Sequence, residues 1–215
     1  IFIVFAFLSL FCLGLADNAR GPIFPDLLLQ FHLSDTMGAL FFLVASGLSL
    51  VNNTVSRLWL KRWGPFLGLR AFLLVMGLGL LVMGLSHQYF VLLGGAAIFG
   101  IGMGGVGISQ NLLVAEGASE KYRRQAFSGM HSMYGLASLL APAVVTALQG
   151  LGWGWQQVLM LLALVPFSLA VASIWFGHRQ KAAGVSTFTS ESVIMTEGGA
   201  RREATPGAKA ARHLE

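Results

Sequence analysis

Charge is what this sequence has least of. Lys, Arg, Asp and Glu supply 11% of its 215 residues, and 55% of the chain is hydrophobic, whereas a soluble globular domain is roughly 25% charged. A chain this apolar cannot hide six separate hydrophobic runs from water and stay dispersed, which excludes a soluble fold. Cysteine is nearly missing too. Cys12 stands alone in an apolar run, so neither a disulfide framework nor a thiolate metal site is available. Alternating apolar and polar stretches of about ten residues are absent, which argues against a membrane-spanning barrel. No Met precedes Ile1, and no basic segment with a small-residue cleavage site marks a signal peptide. The chain is therefore expected to begin inside a longer one.

What the sequence does have is length in its apolar runs. They fall near residues 1–28, 36–56, 66–86, 89–115, 126–149 and 153–176, each long enough to cross a roughly 30 Å hydrocarbon core at about 20 residues per helix. The expected fold is an all-α integral membrane protein, a six-transmembrane-helix bundle over residues 1–176 in a lipid bilayer. Residues 177–215 are rich in Gly, Ala, Ser, Thr and charge without a helical period, and are expected to form a disordered cytoplasmic linker or tail.

The basic residues orient the bundle. Arg57, Lys61, Arg62 and Arg70 lie between spans two and three, Lys121, Arg123 and Arg124 between four and five, and Arg179 and Lys181 after span six. The other connections hold Arg20 alone. This asymmetry places the N-terminus, the second and fourth connections and the tail in the cytoplasm. Trp59 and Trp63 at one boundary and Trp153 and Trp155 at the other fit interfacial belts. Basic residues spaced out between spans do not form a nucleic-acid patch, so no nucleic acid is expected as a partner.

Span one poses the main question. Its apolar run meets Asp17, Asn18 and Arg20, then Pro22 and Pro25, before apolar character resumes at Leu27. A helix ending at Ala16 would rise only about 24 Å at roughly 1.5 Å per residue, short of a full crossing. Either Asp17 and Arg20, spaced i, i+3, pair at the outer interface, or the helix continues and Asp17 faces a bundle interior or wet cavity. In the second case the prolines bend or loosen its outer end, where water or neighbours satisfy the freed backbone groups.

Several motifs look like chemistry and carry a plainer meaning. Gly100, Gly102 and Gly105 satisfy G-x-G-x-x-G, but no strand precedes them and they lie mid-span. Gly100 and Gly104, four apart, instead suit the close approach of another helix. Asn52-Asn53-Thr54 matches a glycosylation sequon buried in span two, where no transferase could reach it. Ser109 and His131 could be a nucleophile and base on neighbouring helices, yet nothing in the sequence orients the histidine. His87, in a short outer turn, reads as solvated. Enzyme activity, cofactors and metals are not expected.

A polar set inside the spans is more informative: Asn52, Asn53, Gln110, Asn111, His131, Ser132 and Tyr134, all toward the cytoplasmic half. They could line a shared hydrophilic pathway. The alternative is hydrogen bonding between helices, worth only about 0.6 kcal/mol on average in membranes.

The run from Ile1 to Phe176 resembles the N-terminal six-helix half of a twelve-helix major facilitator superfamily transporter. GPIFPDLLLQFHLSD is similar to the family's proline-bearing first helix and its short turn into the second. RLWLKRWGPF occupies the place of the family's signature loop, FGIGMGG that of the glycine-rich fourth helix, and GLASLLAPAVV that of the proline-bearing fifth. The stretch NLLVAEGASEKYRRQAFSGMHSMYG is most similar to fucose-permease-like sugar transporters, with Asn111 before the loop and His131 early in the fifth helix. Lys61 departs from the loop's usual aspartate, Ala96 from an arginine of drug exporters, and Ala141-Pro142 from the glycine-proline of antiporters.

The resemblance implies a secondary transporter of a small polar solute, a sugar among the candidates, in a bacterial inner membrane. It implies proton coupling through a carboxylate on helix one, which Asp17 with Arg20 could supply. It also implies a cytoplasmic gating loop at Arg57, Lys61, Arg62 and Gly64, and a partner in the form of a C-terminal six-helix half or a second copy. The alternative function is a non-transporting accessory or assembly subunit of a larger membrane complex.

Overall fold

A computed structural model describes residues 2–182 of the chain. Among these residues it holds six long helices and a single 3-10 turn at Glu120–Tyr122, with no strand. The helices are α1 (Phe2–Phe31), α2 (Asp35–Thr54), α3 (Ser56–Gly84), α4 (Tyr89–Gly117), α5 (Arg123–Gly150) and α6 (Trp155–Ala182). All six have a window long and apolar enough to cross a membrane. Continuous apolar sequence favours helices here because a helix satisfies its own backbone groups in lipid.

The breaks between helices follow local chemistry. His32 takes a left-handed φ of 50° and stops α1. Ser34 then caps α2, its hydroxyl accepting the backbone N–H of Met37 at 3.3 Å, with Asp35 in the first turn. Gly152, at φ 87°, turns the chain into α6, a backbone conformation glycine adopts without strain.

Several boundaries differ from the sequence expectation. Span one runs through both prolines as one helix to Phe31. The prolines cannot donate to the carbonyls four residues back, those of Asn18 and Gly21, yet the helix persists because its neighbours hold it. The expected loop at Arg57–Phe66 is helical instead. α3 begins at Ser56, and the chain bends at Gly64 (φ 70°, ψ 171°), with Pro65 following. α6 extends past the expected boundary at 176 to Ala182, and the rest of the expected tail, 183–215, lies outside the described residues.

α4 is the central strut, packing most extensively on α3 and then on α2, while α1 packs on α5, α4 and α6. Its glycines explain the closeness. A Cβ on Gly100 or Gly104 would meet the backbone of Ala45 or Ser49 in α2, and one on Gly102 or Gly105 would meet Met76 or Phe72 in α3. With no hydrophobic driving force between helices in lipid, such close van der Waals contact supplies much of the association.

Candidate functional site

The polar side chains inside the bundle form three levels along α1. The central level is built on Asp17, midway along α1. At roughly 1.5 Å per residue it stands about 22 Å from either helix end. Its Oδ1 accepts from Nη2 of Arg20, one turn on, and its Oδ2 accepts from the hydroxyl of Tyr134 in α5 at 2.7 Å. Gly14 lets α5 come this near, since a Cβ there would lie 2.9 Å from that of Ala137 and 3.2 Å from the Cα of Tyr134. Arg20 is 3% exposed and the side chain of Asp17 24%. The carboxylate is thus the reachable member of the pair.

The guanidinium of Arg20 sits in an aromatic cage, its centre 4.7 Å from the ring of Phe99, 5.4 Å from Phe42 and 5.7 Å from Phe41. Ring faces in that range attract a cation, by about 2 kcal/mol or more where water is excluded. Nη1 of Arg20 is buried and has no hydrogen-bond partner, so the rings, the Asp17 carboxylate and, from Nε at 3.4 Å, the Asp17 backbone carbonyl hold the charge. The i, i+3 pair does form, but inside the bundle rather than at an interface. Asn18, not among the candidate site residues read from the sequence, donates to the Gly14 carbonyl at 2.8 Å and is half-buried beside this cluster.

The second level lies toward the far end of α1. Gln149 of α5 donates to Asp26 at 2.6 Å, and Trp155 of α6 donates to Gln30 at 2.6 Å while packing on Phe31. Asp26 is thus a second acid within α1. The continuation of α1 past Pro25 was the signal for Asp26, because it moves that residue from a helix end into a helix. Trp155, only 3% exposed, joins helices rather than standing in an interfacial belt.

The third level separates most of the polar set instead of gathering it. Asn52 donates to the carbonyl of Ile101 in α4 at 2.7 Å and accepts from Trp59 at 3.1 Å, while Trp59 packs on Phe72. Trp59 is thus also a packing residue. Gln110 accepts from Ser9 of α1 at 3.1 Å, and the buried Oδ1 of Asn53 has no partner. Asn111 bonds back to the carbonyl of Gly107 at 2.8 Å and is half-buried, whereas His131 and Ser132 are exposed on α5. Ser109 is buried against Gly68 of α3, where a Cβ would come 3.1 Å from its hydroxyl, and no hydrogen bond joins it to His131. Among the described residues Asn52 and Gln110 bond across helices, whereas Asn111 bonds back within its own. Of the expected gating set, Arg57, Lys61 and Arg62 are exposed on the helical segment before the Gly64 bend.

Comparison with known proteins follows the same outline. The sequence pattern of the Major Facilitator Superfamily matches residues 6–213. An efflux pump, bfoC, of Aspergillus brasiliensis is 28% identical over 170 residues, covering 77% of this chain and 29% of that protein. The efflux pump aunC of Aspergillus niger is 28% identical over 172 residues, covering 78% of this chain and 31% of the relative. The chain thus spans under a third of the curated relatives it matches. Among solved structures, the peptide transporter POT in complex with sulfate shares the fold with a TM-score of 0.67 at 17% identity, over 94% of this chain and 44% of that one. These relatives favour neither the fucose-permease subtype nor a bacterial source.

Proposed function

Since the chain belongs to the Major Facilitator Superfamily, we propose that it is the N-terminal six-helix half of a proton-coupled secondary transporter for a small polar solute. The observation that carries this reading is Asp17, a partly accessible carboxylate midway along α1, bonded at once to Arg20 and to Tyr134 of α5. Protonation removes the charge that Arg20 balances and loosens the link between α1 and α5, so proton occupancy and helix position become coupled. The solute pathway lies against the reachable sides of Asp17 and Asn18 and continues past Asn111 and His131. The basic connections at 57–62 and 121–124 support a cytoplasmic placement of that end. A second six-helix half, or a second copy, supplies the opposite wall, and rocking of the two gives alternating access. The fucose-permease resemblance favours a sugar taken up, and the relatives' name favours export; direction and solute are read by the same experiment.

The test uses the longer protein carrying this half, reconstituted in liposomes with a trapped pH indicator and challenged with a panel of sugars, organic acids and cationic dyes. The parent should move protons with one solute class, in a direction set by the imposed gradient. Asp17→Asn should abolish solute-driven proton movement while counterflow of labelled solute persists. Proton movement unchanged in Asp17→Asn would leave the carboxylate a structural partner of Arg20.

A further inference from the structure

The segment Ser56–Trp63 is a two-turn helix set off from the rest of α3 by the left-handed Gly64 (φ 70°) and Pro65. Its two faces differ. Inward, Ser56 is buried, Trp59 bonds Asn52 and packs on Phe72, and Trp63 lies 6.4 Å from the Phe72 ring. At roughly 100° per residue, Arg57, Lys61, Leu58 and Arg62 follow one another over an outward arc of about 140°. All four are exposed, Leu58 to 75%. None of the three cations has an ion pair or hydrogen bond among the described residues.

We propose that this arc is a binding surface for anionic phospholipid headgroups. The chemistry matches on two counts. Three unpaired cations ring an exposed leucine, so phosphate can bind Arg57, Lys61 and Arg62 while Leu58 and the edge of Trp63, 44% exposed, meet the upper acyl chain. Long basic side chains above an apolar residue are the arrangement by which an interfacial helix seats itself at a headgroup boundary. Position agrees as well. The segment lies at the end of the bundle that carries Lys121, Arg123 and Arg124, whereas the connections at the opposite end hold no Lys or Arg. The inward bonds of Trp59 fix the segment to α2 and α3, so lipid held on the arc bears directly on the joint at Gly64.

The test is tryptophan quenching in phosphatidylcholine vesicles doped with brominated phosphatidylglycerol or brominated phosphatidylcholine. Each cation near an anionic surface contributes roughly a fivefold preference at low salt, so the parent should favour the anionic lipid about fivefold or more. The variant Arg57→Gln/Lys61→Gln/Arg62→Gln should fall to about equal quenching by both lipids. Trp63→Phe should remove most of the excess quenching, and Lys121→Gln/Arg123→Gln/Arg124→Gln should retain it. Raising salt from about 0.1 to 0.5 M should shrink the parent's preference, because screening shortens below about 10 Å. Preference that survives the triple substitution, the Trp63 change or high salt would overturn the proposal, as would its loss on changing the 121–124 cations alone.

Discussion

Replacing Gly100 by alanine would put a Cβ against the main chain of Ala45, with the Ala45 Cα and carbonyl carbon each 2.8 Å away and its carbonyl oxygen nearer still. The obstacle is backbone, which cannot rotate aside as a side chain could. α4 and α2 must therefore separate along the Gly100–Gly104 seam, where Ser49 lies under Gly104 as Ala45 lies under Gly100. Overpacking of this kind costs about 1–3 kcal/mol, and a gap of even half an ångström forfeits a sizeable share of the dispersion contact. Gly94 and Gly107 lie on the same helix with nothing within 4 Å of an added Cβ. There alanine should be neutral or stabilising by about 0.5–1 kcal/mol, through the lower entropy cost of ordering alanine in a helix. The assay is thermal unfolding in a mild detergent, read by loss of the monodisperse peak on size exclusion. Taking about 2–4 °C per kcal/mol for a chain of this size, Gly100→Ala should melt about 2–12 °C below the parent, and Gly94→Ala and Gly107→Ala at or above it. Equal melting of Gly100→Ala and Gly107→Ala would refute the view that the α2–α4 seam depends on backbone approach.

Arg20→Met should be among the most destabilising single changes, about 3 kcal/mol, because it leaves the Asp17 carboxylate without its cation; Arg20→Met with Asp17→Asn should recover most of the loss, and no recovery in the melting assay would show that the Phe41, Phe42 and Phe99 cage, not the ion pair, is what Arg20 supports. Asn52→Leu removes the links to Ile101 and Trp59 and should lower the melting temperature by a few degrees at about 0.6 kcal/mol per membrane hydrogen bond, whereas exposed His131→Leu should leave it unchanged; the reverse order would place His131 in a packing role.

What the sequence determined by itself was the class and the count. Six apolar runs and the lysines and arginines clustered in alternate connections required a helical membrane bundle and biased its orientation, because hydrocarbon thickness and unsatisfied backbone groups leave few other solutions. Gly100 and Gly104 could be read as an approach surface from their spacing, but the second glycine face, Gly102 and Gly105 against α3, could not, since spacing does not say which neighbours a helix has. The i, i+3 pairing of Asp17 and Arg20 was legible for the same local reason.

Only the tertiary structure decided where that pair sits and what shares it. Tyr134 reaches Asp17 from 117 positions away, and the rings around Arg20 come from α2 and α4. It also decided that Asn52 and Gln110 join helices, that Asp26 belongs inside α1 beside Gln149, and that the basic stretch after α2 is helix up to the bend at Gly64. A polar residue in an apolar span must find a partner, and the sequence shows that need without showing the partner. The choice among backbone, side chain and cavity is made by which helix faces meet, and in lipid that is set by close packing among all six at once.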